Sequence, residues 1–423
     1  MDILTHIRER GLVHQSTDLD GLRDHLKVPR KVYCGFDPTA PSLTIGNLVP
    51  IIILAHFQKA GHTPVVILGG ATGLIGDPSG KSAERQLLTR ETIAENMKGQ
   101  RRIFERLLDF DTETNAALIF DNADWLSKIT FLEALRDIGK FFSVNEMTKR
   151  DSIRERLTRE QGISYTEFSY MLLQAWDFKH LFENHAVTIQ LGGSDQWGNI
   201  VPGVDLVRRL CQQTVFGLTC PLVTKADGGK FGKTEAGPIW LTADRTSSYA
   251  LYQFFLNTAD ADVVKFLRLF TFLPLARIVE IEKAHLEDPG RRLAHRLLAE
   301  EVTGLIHGAA AASEAVQASQ CLFAGDVSTL PLPLLMEVLG GVPTTTHSLA
   351  HLREQPMTAV DLLCVTSVCS SKREAREMLS SGAILLNGRK MQASDTFTVE
   401  SLLHGRVATI RRGKKNWHIA VWE

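Results

Sequence analysis

Residues 34–53 read "CGFDPTAPSLTIGNLVPIII", and this stretch decides the fold. It overlaps the end of "KVYCGF" (31–36), which reads as a buried strand because apolar and aromatic residues run up to a Gly- and Pro-rich break. It runs into "LVPIIILAHFQKAG" (48–61), a helix pattern with Pro50 in its first turns and Gly61 as its stop. A tight strand-to-helix loop therefore lies between them. In open α/β sheets such loops stand over the strand ends, where ligands bind. The unpaired N–H groups of a helix N-terminus also suit phosphate.

The remaining strands fit the same scheme. "PVVILGG", "AALIF" and "VTIQLGG" each follow a helical pattern, and this alternation predicts a parallel, doubly wound, Rossmann-like sheet over residues 1–240. From 241 to 325 the patterns are helical ("SYALYQFFLNT", "ADVVKFLRLFTFL", "LARIVEIEKAHLE", "RRLAHRLLAEEVTGLIHG"), which predicts an α-helical domain. Residues 326–356, with "GGVPTTTHS", read as a linker. Residues 357–423 read as a small α+β unit of two helical pieces and a set of strands.

Composition sets the outer limits. A chain of 423 residues, 44% hydrophobic, has the material for roughly two to four domains. No apolar run approaches the length of a membrane span, and the N-terminus is charged and helix-like. The cysteines form no CxxC pair, which points to reduced thiols, no metal framework and a cytoplasmic location. The net charge of −1 gives no global pull toward nucleic acid, so any such pull is local. The tail supplies one. Residues 351–423 hold 11 Lys/Arg against 7 Asp/Glu, with Lys372, Arg373 and Arg376 opening a helix and Arg411, Arg412, Lys414 and Lys415 around a hairpin near Trp417. An ordinary solvated face is the competing reading.

Four further segments carry chemistry. "GGATGLIGDPSGKSAER" (69–85) is glycine-rich without the spacing of a P-loop, and it holds Asp77 in a turn, then Lys81 and Arg85. "YTEFSYMLLQAWDFKHLF" (165–182), as a helix, aligns Tyr170, Gln174 and Asp177 on one face between apolar stripes. That stripe serves either an internal polar network or a small ligand bearing a hydroxyl and an amine. "LGGSDQWGN" (191–199) places Gly193, Asp195 and Gln196 where a strand meets a helix, a position at which carboxylates accept ribose hydroxyls. "KADGGKFGKTEAGPIW" (225–240) puts Lys230, Lys233 and Thr234 in a glycine-rich loop, which either closes over a polyphosphate or forms an exposed hairpin tip. Taken together, these segments fit ATP and a small second substrate.

In order and spacing, these motifs resemble bacterial-type tyrosyl-tRNA synthetases of the class I aminoacyl-tRNA synthetase family. "TIGN" sits where that family has its HIGH signature, and "KFGKT" sits where it has KMSKS. The tail resembles the ribosomal S-four-type RNA-binding domain. The resemblance implies activation of L-tyrosine by ATP, with accompanying Mg2+, and transfer to tRNA(Tyr) by a homodimer formed through an insertion in the catalytic domain. It implies an anticodon-binding role for 241–325. It implies tyrosine contacts from Tyr33, Asp37, Asp77, Tyr170, Gln174, Asp177 and Gln196, and nucleotide contacts from Gly35, Gly46, Asn47, Gly193, Asp195 and Lys233. Thr39, Thr44, Asn47, Lys81, Arg85, Lys230, Lys233 and Thr234 would meet the departing pyrophosphate. The cations Lys372, Arg373, Arg376, Arg411, Arg412, Lys414 and Lys415 would meet tRNA. One departure stands out: Thr44 and Asn47 occupy positions where the signature usually has histidine. The alternatives are a related synthetase for tryptophan and a non-catalytic homologue that binds RNA.

Overall fold

The structure is a computed structural model that describes residues 2–79, 87–157, 162–229, 231–234, 237–324, 326–413 and 416–423. The central sheet holds strands β1 (Gln15–Ser16), β2 (Lys31–Phe36), β3 (Thr63–Leu68), β4 (Leu118–Asp121), β5 (Val187–Gly193) and β6 (Phe216–Cys220) in the order β1-β6-β5-β2-β3-β4. All neighbouring pairs are parallel except β1 with β6. Strand order reverses between β2 and β5, so the fold is doubly wound and its switch point opens between those two strands. The expected strands are all present. β6, "FGLTC", is an additional buried strand, and the short β1 runs antiparallel along it.

The helix after β2 spans Leu48–Lys59 and is buried from Leu48 to Phe57. Its residues are apolar on all sides, as a helix enclosed by protein requires. It ends at Gly61, whose φ of +89° is left-handed backbone that glycine adopts without a Cβ clash. The Tyr165–His185 helix starts on Ser164, whose hydroxyl accepts from Glu167 N. A buried ion pair, Arg156 to Glu167 at 2.8 Å, holds that first turn.

Two compact units divide the chain, one of residues 1–247 with 254–307 and one of 248–253 with 308–423. The helices Asp260–Phe270, Leu275–Glu287 and Leu293–His307 thus cluster with the sheet, and Ala309–Ala324 with the tail. This corrects the expectation of a separate helical domain over 241–325. The physical reason is that an amphipathic helix pattern shows that a face is buried without showing what buries it. The stretch 326–356 is also not a linker. It holds the Leu332–Val338 helix and the Thr344–His347 strand, which pairs in parallel with Asn416–Trp422 as the edge of a five-stranded sheet. In the same unit Leu362, Leu379, Ile384, Phe397 and Trp422 share one core.

The loop after β2 is clamped by the Arg90–Leu107 helix. Asn96 Nδ2 donates to the Pro38 carbonyl at 2.8 Å and Gln100 Nε2 to the Ala40 carbonyl at 3.1 Å. Gly99 lies between those two residues, and a Cβ there would stand 2.0 Å from the Pro41 carbonyl oxygen. Gly99→Ala therefore sets a gain of about 1 kcal/mol in helix propensity against a backbone clash. We expect the clash to win, with a net loss of about 1–3 kcal/mol in urea unfolding. A variant as stable as its parent would show that the loop yields instead of clamping.

Candidate functional site

The ends of β2, β3, β5 and β6 surround a cavity of about 660 Å³ at the switch point. From β2 and its loop come Tyr33, Gly35, Asp37, Thr39, Thr44, Gly46 and Asn47. Asp77 comes from the turn after β3, and Gly193, Asp195 and Gln196 from the end of β5. Tyr170, Gln174 and Asp177 project from one face of the Tyr165–His185 helix. Gly35 is exposed although it lies in a central strand, and a Cβ built on it would meet nothing within 4 Å. The cavity comes directly down to the backbone there.

Asp177 lies at the deep end, 5% exposed. Trp125 Nε1 donates to its Oδ1 at 2.7 Å and Asn122 Nδ2 to its Oδ2 at 2.9 Å. Burial lifts its carboxyl to about 7 even though both hydrogen bonds favour the carboxylate. Tyr33, 2% exposed, packs its ring against Phe178 with centroids 5.2 Å apart. Its hydroxyl has no partner among the described residues. Burial, and then the charge of Asp177, push that phenol well above its ordinary value, so it stays a donor. Gln190, paired with Tyr33 across β2 and β5, also keeps a buried carbonyl oxygen without a partner. An orphaned buried hydroxyl and an orphaned amide oxygen beside a carboxylate are the marks of a site completed by a polar ligand.

The other carboxylates are also held. Tyr170 Oη donates to Asp37 Oδ2 at 2.9 Å and Thr72 Oγ1 to Asp37 Oδ1 at 2.7 Å. Gln196 Nε2 donates to Asp77 Oδ2 at 2.7 Å, while Asn199 Nδ2 and Ser79 N reach Asp77 Oδ1 at 3.2 and 3.0 Å. Asp37, Asp77 and Asp177 together make the floor a place for a cation.

At the other end, Thr44 donates its hydroxyl to Asn47 Oδ1 at 3.0 Å, and Thr44 N reaches the same oxygen at 3.1 Å. The Asn47 carbonyl is thereby engaged within the turn, and Asn47 also lines the cavity. The turn is also tied to the segment after the lysine loop. Ile45 N donates to the Ile239 carbonyl at 2.9 Å and Leu241 N to the Leu43 carbonyl at 2.8 Å. Gly232, with φ of +81°, lies so close that a Cβ would stand 2.3 Å from Ile45 Cγ2. Thr234 is exposed, donates to the Gly237 carbonyl at 2.9 Å, and does not line the cavity. Lys81, Arg85 and Lys230, with the Lys233 side chain, lie outside the described residues, as do Lys414 and Lys415.

In the tail unit, Lys372 pairs with Asp361 and Arg412 with Glu374, each at 2.8 Å. Arg411 stacks over Trp417 at 5.5 Å. Arg373 and Arg376 are exposed. The basic face is therefore narrower than its charge count implies.

A family model described as tRNA synthetases class I (W and Y) matches residues 26–324. The chain belongs to that family. A second model, a tyrosine–tRNA ligase C-terminal domain, matches residues 335–420. A tyrosine–tRNA ligase of Dechloromonas aromatica is 49% identical over 100% of this chain and 99% of its own length. One from Geobacillus kaustophilus is 47% identical over 99% of both. Among solved structures, a C-terminally truncated mitochondrial tyrosyl-tRNA synthetase of Aspergillus nidulans superposes with a TM-score of 0.70 at 33% identity, covering 76% of this chain and 94% of that one.

Sequence reading missed several residues of this synthetase site. Asn122 and Trp125 follow a strand end, the rule that found Asp77 and Asp195. Gln190 was visible as an amide in an otherwise largely apolar strand, and Thr72 and Asn199 stand inside motifs already singled out.

Asp177 makes stability depend on pH. Its carboxyl ionises near 3.8 in the unfolded chain and near about 7 in the folded one. Its contribution is complete below the lower value and is lost as pH rises through the higher. Between about pH 5 and pH 8 the ligand-free parent should lose roughly 2 kcal/mol more than Asp177→Asn. Parallel urea midpoints for the two proteins across that range would show that Asp177 is already ionised at pH 5.

Proposed function

We infer that the protein is a tyrosine–tRNA ligase, which joins L-tyrosine to ATP as tyrosyl-adenylate with release of pyrophosphate and then passes the tyrosyl group to the terminal adenosine of tRNA(Tyr). One observation carries the choice of amino acid: the unpartnered Tyr33 hydroxyl lies beside the Asp177 carboxylate at the deep end of the cavity. A phenol satisfies both, accepting from Tyr33 while donating to Asp177. An indole N–H donates only and would leave the Tyr33 hydroxyl unpaired, so tryptophan fits less well. The orphan carbonyl of Gln190 is available to the same ligand. Asp37, Asp77, Tyr170 and Gln174 suit the ammonium group, and Gln196 the carboxylate end.

The chemistry needs no general base. The tyrosine carboxylate is ionised at neutral pH and attacks the α-phosphorus of ATP directly. What remains is to align two anions and to stabilise charge on the leaving pyrophosphate. Asp195 and Gly193 suit the ribose, and Gly35 and Gly46 allow close backbone approach. Thr39, Asn47 and the cations Lys81, Arg85, Lys230 and Lys233 suit the phosphates, whereas Thr234 spends its hydroxyl on the Gly237 carbonyl. Mg2+ enters as part of the nucleotide substrate. The sheet and the loops over it carry the catalysis in this reading. The helices between 254 and 307, although they cluster with the sheet, and the cations of 357–423 serve tRNA. A homodimer is supported by Phe131, Leu132, Leu135 and Val144, which expose 43–77% of their surface in one segment of the insertion after β4. No helix among the described residues is long and apolar enough to cross a membrane, in keeping with work in the cytoplasm.

Amino-acid-dependent exchange of pyrophosphate into ATP tests the assignment. Tyrosine should drive exchange, phenylalanine and tryptophan should not, and Asp177→Ala should erode that preference. Exchange driven by tryptophan would overturn the choice of amino acid, and no exchange with any of them would favour the RNA-binding homologue.

The Thr44–Asn47 pair gives a sharper expectation. Asn47 faces the nucleotide and Thr44 aims it, so Asn47→Ala should slow adenylate formation by more than about tenfold, near 1.4 kcal/mol or more. Thr44→Val, which leaves Asn47 one donor from the backbone, should cost less. Pre-steady-state rates with the order reversed would make Thr44 the direct contact.

For tRNA, Arg373→Glu with Arg376→Glu should leave exchange intact, weaken tRNA charging and flatten the salt dependence of tRNA binding. Lys372→Ala should do less, because Asp361 already pairs with that ammonium. Unchanged salt slopes in the double variant would move the tRNA surface elsewhere.

A further inference from the structure

Away from the cavity, three helix ends converge on a set of donors that the synthetase chemistry does not use. Asp260 is the first residue of the Asp260–Phe270 helix, His285 lies in the last turn of Leu275–Glu287, and His295 in the first turn of Leu293–His307. One carboxylate oxygen, Asp260 Oδ1, faces His285 Nε2 at 3.6 Å and His295 Nε2 at 3.3 Å. The imidazoles are 6% and 0% exposed, and the Asp260 side chain is 64% exposed. Among the described residues neither ring nitrogen of His295 makes a well-formed hydrogen bond, nor does His285 Nδ1, although the Thr258 backbone faces the His295 ring. A buried histidine with both nitrogens unpaired is costly unless something else takes a lone pair.

We propose that Asp260, His285 and His295 form a binding site for a zinc-class divalent transition metal, with solvent completing the fourth position. Two imidazoles and a carboxylate are a zinc donor set. Tetrahedral coordination with bonds of 2.0–2.1 Å sets ligand atoms about 3.3 Å apart, and the two Asp260 distances are already close to that edge. The donor atoms all lie within 4.8 Å of one another, so rotation of one imidazole closes the third edge. The Thr258 backbone faces the His295 ring, where it suits the second N–H. The nearby cation, Arg292, is turned to the Leu256 carbonyl. Metal here would staple three helix ends together and would act on the stability of these helices, not on the reacting groups.

The test uses the full chain, stripped with a chelator and titrated with zinc sulfate by calorimetry near neutral pH. One zinc per chain is expected, together with a rise in the unfolding temperature. Asp260→Asn changes an exposed side chain, so folding survives, and it should weaken binding by about tenfold or more; His295→Gln should abolish it. Cobalt should give tetrahedral-type visible bands in the parent and none in His295→Gln. If Asp260→Asn binds zinc as the parent does, or the parent binds none, the site is overturned and Asp260 is only an acceptor near two buried histidines.

Discussion

One side-chain amide sets up both halves of the amino-acid pocket. Asn122 accepts from Ala71 N at 2.9 Å, which fixes which way its amide points. Its Nδ2 then donates to Asp177 Oδ2 at 2.9 Å and to Thr72 Oγ1 at 3.0 Å. The first bond orients the Asp177 carboxylate at the deep end of the cavity. The second leaves the Thr72 hydroxyl hydrogen for Asp37, which in turn receives Tyr170. Remove the amide and a buried carboxylate loses a donor while a chain of hydroxyls loses its direction. Buried networks of this kind are worth more than their separate bonds, because each member polarises and positions the next.

The reaction explains why so much of the site is devoted to holding rather than reacting. Both reacting groups are anionic, so the protein must bring like charges together and then relieve the charge that develops on the leaving group. Three carboxylates, Asp37, Asp77 and Asp177, line the cavity around Tyr170. The switch point between β2 and β5 opens this cavity of about 660 Å³ over the strand ends.

Much of this was legible in the sequence, and the misses have physical causes. Short apolar runs alternating with helical patterns mark parallel strands, so β2, β3, β4 and β5 were readable, and the loops that follow pointed to Asp77 and Asp195, while Asp37 came only with the family resemblance. Tyr170, Gln174 and Asp177 followed from helical spacing. Asn122 and Trp125 were not read because their role depends on a residue some fifty positions away, and no local pattern encodes that pairing. The Thr344–His347 strand is polar and Thr-rich, and its partner lies at the far end of the chain, so its composition resembled a linker. Charge counting likewise overstated the basic tail, since Asp361 and Glu374 neutralise two of its cations through contacts between separate elements.

The backbone pairing of Leu43 and Ile45 with Leu241 and Ile239 has a consequence for evolution. The segment that follows β6 comes back to the turn after β2 at Gly232, Ile239 and Leu241, so its two ends are fixed. Lengthening such a loop costs little in folding, about 0.6 kcal/mol for each doubling. In the proposed reaction it would nevertheless spread the segment's lysines through a larger volume and dilute their effective concentration at the phosphates. Insertions here would pass unnoticed in a melting curve and register in turnover, so selection on the length of this segment acts through rate and not through stability.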